Sequence, residues 1–71
     1  MDIGRAIRNR AREAGVTQAD LCRATGLSAS YMSMLMNSKI EDPQVKKIYG
    51  IAHAMGSTVD ELVELAEGYD K

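Results

Sequence analysis

This chain of 71 residues has a single cysteine, a single histidine and no strong excess of either charge, and each shortage removes a class of function. Cys22 has no second thiol to pair with, so no disulfide can staple the fold from within. It reads instead as a small side chain packed between two helices, because no nearby histidine or basic cluster would activate the thiol. His53 has no cysteine or acidic partner at ligand spacing, which argues against a metal site. There is no glycine loop to cradle phosphates and no nucleophile motif, so the expectation is a non-enzyme with no cofactor and no small-molecule ligand. Without a leader pattern or an apolar run of membrane-spanning length, the chain is expected in the cytoplasm with no membrane partner. Repeats, low-complexity tracts and domain linkers are missing too, and strands have no obvious home. The expectation is one small domain over residues 1–71, which buries only about 60% of the surface its unfolded chain exposes and so gains from a partner subunit.

What the sequence does have is the punctuation of helices. Residues 18–37, QADLCRATGLSASYMSMLMN, have the spacing of a helix-turn-helix. Thr17 followed by Asp20 reads as a capping box that starts a helix at Gln18, with Leu21, Ala24 and Thr25 on one side. Gly26 supplies the left-handed backbone that stops it. Ser28 is the next N-cap, and Met32, Leu35 and Met36 recur at apolar helical spacing. The other side of this second helix carries Ala29, Ser30, Ser33 and Met34, small or neutral residues suited to entering a groove.

The flanks complete an all-α, compact five-helix bundle. Ile3, Ile7, Ala11 and Ala14 form a stripe on a first helix ending at Gly15. Asp42 and Pro43 read as N-cap and first residue of a fourth helix, whose Val45, Ile48, Ile51, Ala52 and Met55 make a core face closing at Gly56. Gly50 interrupts that helix and marks either a close helix contact, the slightly favoured reading, or an exposed weak spot. Thr58 and Glu61 read as a second capping box, opening a fifth helix at about 58–68.

These residues resemble the Cro and phage-repressor helix-turn-helix family, also called the xenobiotic-response-element family, over roughly residues 3–62. Gln18, Leu21, Cys22, Gly26, Met32 and Leu35 stand at the motif's positions, Pro43 stands before helix four, and IAHAMGSTVDEL at 51–62 resembles the family's IAxALGVSxDEL. The resemblance implies a lambda-repressor-like DNA-binding domain that places its second motif helix in the major groove. It implies a homodimer on a double-stranded, palindromic operator, acting as a Cro-like or repressor-like transcriptional regulator of phage, prophage or plasmid origin. Many members carry an arginine at the position of Ala11 and a glutamate at that of Met36, a buried ion pair; both ends are apolar here, and Ala11 and Met36 are expected to touch.

Charge qualifies this picture. Residues 1–56 hold eight basic against five acidic side chains, a surplus of three, while residues 57–71 hold one against five, a deficit of four. A positive DNA-facing part with an acidic fifth helix turned away is therefore expected. Base contacts are expected from Ala29, Ser30, Ser33 and Met34, none of which offers the bidentate fork of an arginine or glutamine. Phosphate contacts are expected from Gln18, Thr17, Tyr31, Asn37, Lys39 and Arg12, with Arg5, Arg8, Arg10 and Arg23 as further basic candidates. For Tyr31, lying along the DNA backbone or covering the edge of helix one stays open. Leu62, Leu65, Ala66 and Tyr69 are expected to form the dimer interface. Glu41 and Asp42, which would repel phosphates after the recognition helix, keep a second reading open: a protein-binding module such as an antitoxin or antirepressor.

Overall fold

The computed structural model describes residues 1–69 and consists, among them, of helices α1 (Ile3–Ala14), α2 (Gln18–Thr25), α3 (Ala29–Met36), α4 (Val45–Ala54) and α5 (Val59–Gly68). Every helix sends at least one side chain to a common core. Ile7, Leu21, Met32, Leu35, Ile51 and Leu62 are fully buried, each stabilising the fold by about 1.5–3 kcal/mol over leaving it exposed. Helix α1 packs on α3 and α5, α2 packs on α3 and α4, and α4 packs on α5. No helix among the described residues is long and apolar enough to cross a membrane.

Local chemistry sets most of the boundaries. Thr17 and Asp20 form a complete capping box, each side chain bonded to the other's backbone amide, and Ser28 accepts from the Tyr31 amide at the start of α3. Gly15, Gly26 and Gly56 all adopt positive φ just past the ends of helices. The end of α3 follows the same pattern with a different residue. The Ser38 amide donates to Leu35 and the Lys39 amide to Met34, a Schellman closure in which Ser38 takes φ 60° where glycine is usual. Its hydroxyl donates to the carboxylate of Asp2, which also caps α1 through the Arg5 amide. One side chain thus joins the start of α1 to the turn that ends α3.

These bonds have a pH signature. The Ser38 hydroxyl first, and the Arg5 amide second, hold the Asp2 carboxyl below the usual carboxylate range. The amide and hydroxyl of Thr17 do the same for Asp20. Both groups lose a proton more readily folded than unfolded, so their contribution is complete above about pH 4 and is lost as pH falls through their lower folded values. The melting temperature is expected to fall as pH drops below about 4, and less steeply in Asp2→Asn; equal slopes for the two proteins would count against the Asp2 contribution.

The structure departs from the sequence expectations in five places. Helix α4 begins at Val45 behind Gln44, which is extended and makes no side-chain cap, and not at Asp42–Pro43, because the backbone stays out of the helical region until Val45. The first turn of α4 consequently overhangs the core, leaving Val45 71% exposed. On α1, Ala14 is exposed, and Gly4 and Ala6 join Ile3, Ile7 and Ala11 inside. Glu61 does not return to the Thr58 amide; its carboxylate accepts from the Ser57 and Thr58 hydroxyls. Finally, the tight helix approach lies at Gly4 and not at Gly50, where an added Cβ would meet only Thr25 Cγ2 at 3.8 Å.

Candidate nucleic-acid interface

Helix α3 divides cleanly between two tasks. Met32 and Leu35 are buried, and Met36 packs against the core as expected, as does Ala11 from α1. On the opposite side Ala29 and Ser30 are exposed, Ser33 is partly so, and Met34 is 50% exposed. Residues 29, 30, 33 and 34 fall on one face by helical spacing, so the structure brings the expected base-reading residues together on a convex, accessible strip.

The residues around this strip are more committed than their sequence suggested. Gln18 donates from Nε2 to the Ala29 carbonyl at 3.4 Å, tying the start of α2 to the start of α3 and leaving its second amide hydrogen for a phosphate. Thr17 spends its acceptor on the α2 cap, and its hydroxyl hydrogen remains a donor. Asn37 is exposed, and its amide nitrogen donates to the Ser33 carbonyl at 2.7 Å and approaches Ser33 Oγ at 3.4 Å. That side chain closes the last turn of α3. Arg23 forms an ion pair with Asp20, so the two charges offset each other at the start of the motif.

Tyr31 is half-buried and packs against the core. Lys47 of α4 lies over its ring, 4.4 Å from the centroid, an attraction of ammonium to the ring's negative face. This places a cation beside the N-terminal half of α3 that the sequence reading missed. Its only linear signal is the adjacent pair Lys46–Lys47, which a lysine search restricted to the loop after α3 passes over. Lys39 is exposed just beyond the α3 turn.

The arginines of α1 are split. Arg5 lies over the Tyr69 ring at 4.2 Å, and Arg10 shares a surface groove with Glu61 and Glu64 of α5, so both serve the acidic helix. Arg8 and Arg12 continue the helical row of Gly4, the residue against which α3 ends. The dimer surface expected on α5 is also reduced. Leu62 and Ala66 are wholly buried in the chain's own core, and Tyr69 is held by Asn9, whose Nδ2 donates to its hydroxyl at 2.7 Å. Only Leu65, 38% exposed, still presents an apolar surface there.

A short helix capped by Thr17, a glycine turn at Gly26, and a second helix buried on one side and bare on the other define a helix-turn-helix DNA-binding domain. A family model for the Cro/C1-type helix-turn-helix DNA-binding domain matches residues 6–67, and the chain belongs to that family. No curated protein matches the chain closely enough to count as a relative.

Proposed function

We propose that this protein is a sequence-specific transcriptional regulator of the Cro-like or repressor-like kind carried by phage, prophage and plasmids, binding a palindromic double-stranded operator as a homodimer in the cytoplasm and blocking transcription. The observation that carries the reading is the bare face of α3 in a chain of this family: Ala29 and Ser30 are exposed and Ser33 and Met34 partly so, while Met32 and Leu35 anchor the same helix. The chemistry of that face sets the style of recognition. Ala29 and Met34 suit thymine methyls, and the hydroxyls of Ser30 and Ser33 suit several base edges, so discrimination at each position is modest. Half-site spacing and DNA shape then carry much of the specificity. Positioning falls to Gln18, Thr17, Asn37, Lys39 and Arg12, joined by Tyr31 with its partner Lys47.

Selection from a random duplex pool at physiological salt should recover a two-fold symmetric site. Binding to that site should weaken steeply with salt, and Lys39→Ala or Lys47→Ala should each lower the slope of log K against log salt by about 1. The acidic pair Glu41–Asp42 favours the second reading, a protein-binding module; binding that is flat with salt and blind to sequence would put that reading first.

A further inference from the structure

Lys46 and Lys47 are neighbours on α4 with different surroundings. Lys46 is exposed, whereas Lys47 is half-buried, with its ammonium 4.4 Å from the centre of the Tyr31 ring. Tyr31 is itself half-buried and packed against the core, so the ring is the fixed member of the pair and the lysine the adaptable one. A lysine ordered before a phosphate arrives loses less conformational freedom on binding. An ammonium resting on a ring face also keeps N–H donors for an anion on its other side.

The pair stands apart from the phosphate candidate at the start of the motif. Two residues turn a helix by about 200°, so Ala29 and Tyr31 stand on opposite sides of α3, and it is Ala29 to which Gln18 is tied. Lys47 lines a groove with Thr25 and Leu27 at the end of α2, while Gln18 opens that helix about 10 Å away. Gln18 and Lys47 are therefore suited to different phosphates. The acidic pair Glu41–Asp42 borders another groove, with Val45 and Ile48. The charged residues lining the groove of Lys47 are both lysines.

We infer that Tyr31 serves DNA binding through its ring and not its hydroxyl: it is a positioning residue that aims Lys47 at a phosphate beside α3. The inference rests on the proposed operator binding and deepens it, because one phosphate contact then depends on two helices, α3 supplying the ring and α4 the charge.

Binding to the duplex selected from a random pool, measured across salt, tests the pair in Tyr31→Phe, Tyr31→Leu, Lys47→Ala and the double variant Tyr31→Leu/Lys47→Ala. Tyr31→Phe keeps the ring and should bind within about 2-fold of the wild type, with the same slope of log K against log salt. Tyr31→Leu should bind about 3- to 10-fold more weakly, with its slope lowered toward that of Lys47→Ala, and should add no loss in the Lys47→Ala background. A tyrosine with a structural role alone would weaken both backgrounds alike and leave the slope unchanged. Thermal melts establish that each variant is folded at the assay temperature. Independently of any leucine variant, the side-chain methylene protons of Lys47 in the free wild type should be shifted upfield in NMR spectra by the Tyr31 ring current, and the shift should persist in Tyr31→Phe. Unshifted Lys47 protons, a Tyr31→Phe protein that loses affinity like Lys47→Ala, or equal losses from Tyr31→Leu in the two backgrounds overturn the inference alone. A wild type that selects and binds no duplex removes the DNA reading, and the inference with it.

Discussion

Gly4→Ala is expected to destabilise the protein by about 3 kcal/mol, at the upper end of overpacking costs, lowering the melting temperature by roughly 12–24 °C for a domain of this size. The reason is a backbone contact. A Cβ at position 4 would stand 2.2 Å from the Leu35 carbonyl oxygen and 3.0 Å from the Ser38 amide nitrogen, and neither atom can rotate away as a side chain would. Helix α1 would have to lift from the end of α3, drawing Asp2 from Ser38 with it. The same substitution at Gly50 should act in the opposite sense. The space there is open enough for a methyl group, and removing a helical glycine is worth about 1 kcal/mol. Thermal melts of the two variants decide the matter, and a Gly4→Ala protein within 2 °C of the wild type, on the order of a few tenths of a kcal/mol, would show that the α1–α3 approach is not tight.

Ala11→Arg is expected to cost a similar amount, about 3 kcal/mol or more, because Ala11 is only 2% exposed and a buried charge without a partner keeps its full desolvation penalty. Met36 packs against the same core from α3. If the two positions touch, adding Met36→Glu should recover at least about 1 kcal/mol, although Met36→Glu alone also destabilises. A complete double-mutant cycle by urea denaturation measures the coupling. Zero coupling would mean that the two positions do not meet, and an undiminished melting temperature in Ala11→Arg would remove the basis for reading this site as an ion pair replaced by packing.

The difference between these two predictions marks what was legible in the residues. The cap at Thr17, the caps at Ser28 and Thr58, and the glycine stops at 15, 26 and 56 depend on contacts within one turn, so linear spacing reveals them. The inward and outward sides of α3 were legible for the same reason. The clearance at Gly4 and the left-handed Ser38 depend on where α1 meets α3, thirty or more residues apart, and periodicity is blind to that. Val45 and Ala14 fit the apolar pattern yet lie outside because a pattern does not say where the core stops. Leu62 and Ala66 looked surplus on α5 until α1 was seen to cover them. Of the positioning residues, Lys47 was hidden because its partner Tyr31 sits on another helix, and the bond from Asn37 to Ser33 depends on a rotamer that no sequence spacing encodes.

The separation of duties on α3 bears on how this protein could change its target. The side chains that keep the helix in place are Met32 and Leu35, and those offered to DNA are Ala29, Ser30, Ser33 and Met34, of which only Ser33 bonds elsewhere in the chain, to Asn37. Substitutions at the exposed Ala29 and Ser30, and at the half-exposed Met34, leave Met32 and Leu35 in place, so a lineage or a designer could rewrite the operator preference through a series of single steps. The present plain residues would make a permissive starting point for such a walk, and α3 a replaceable reading head on a fixed mount.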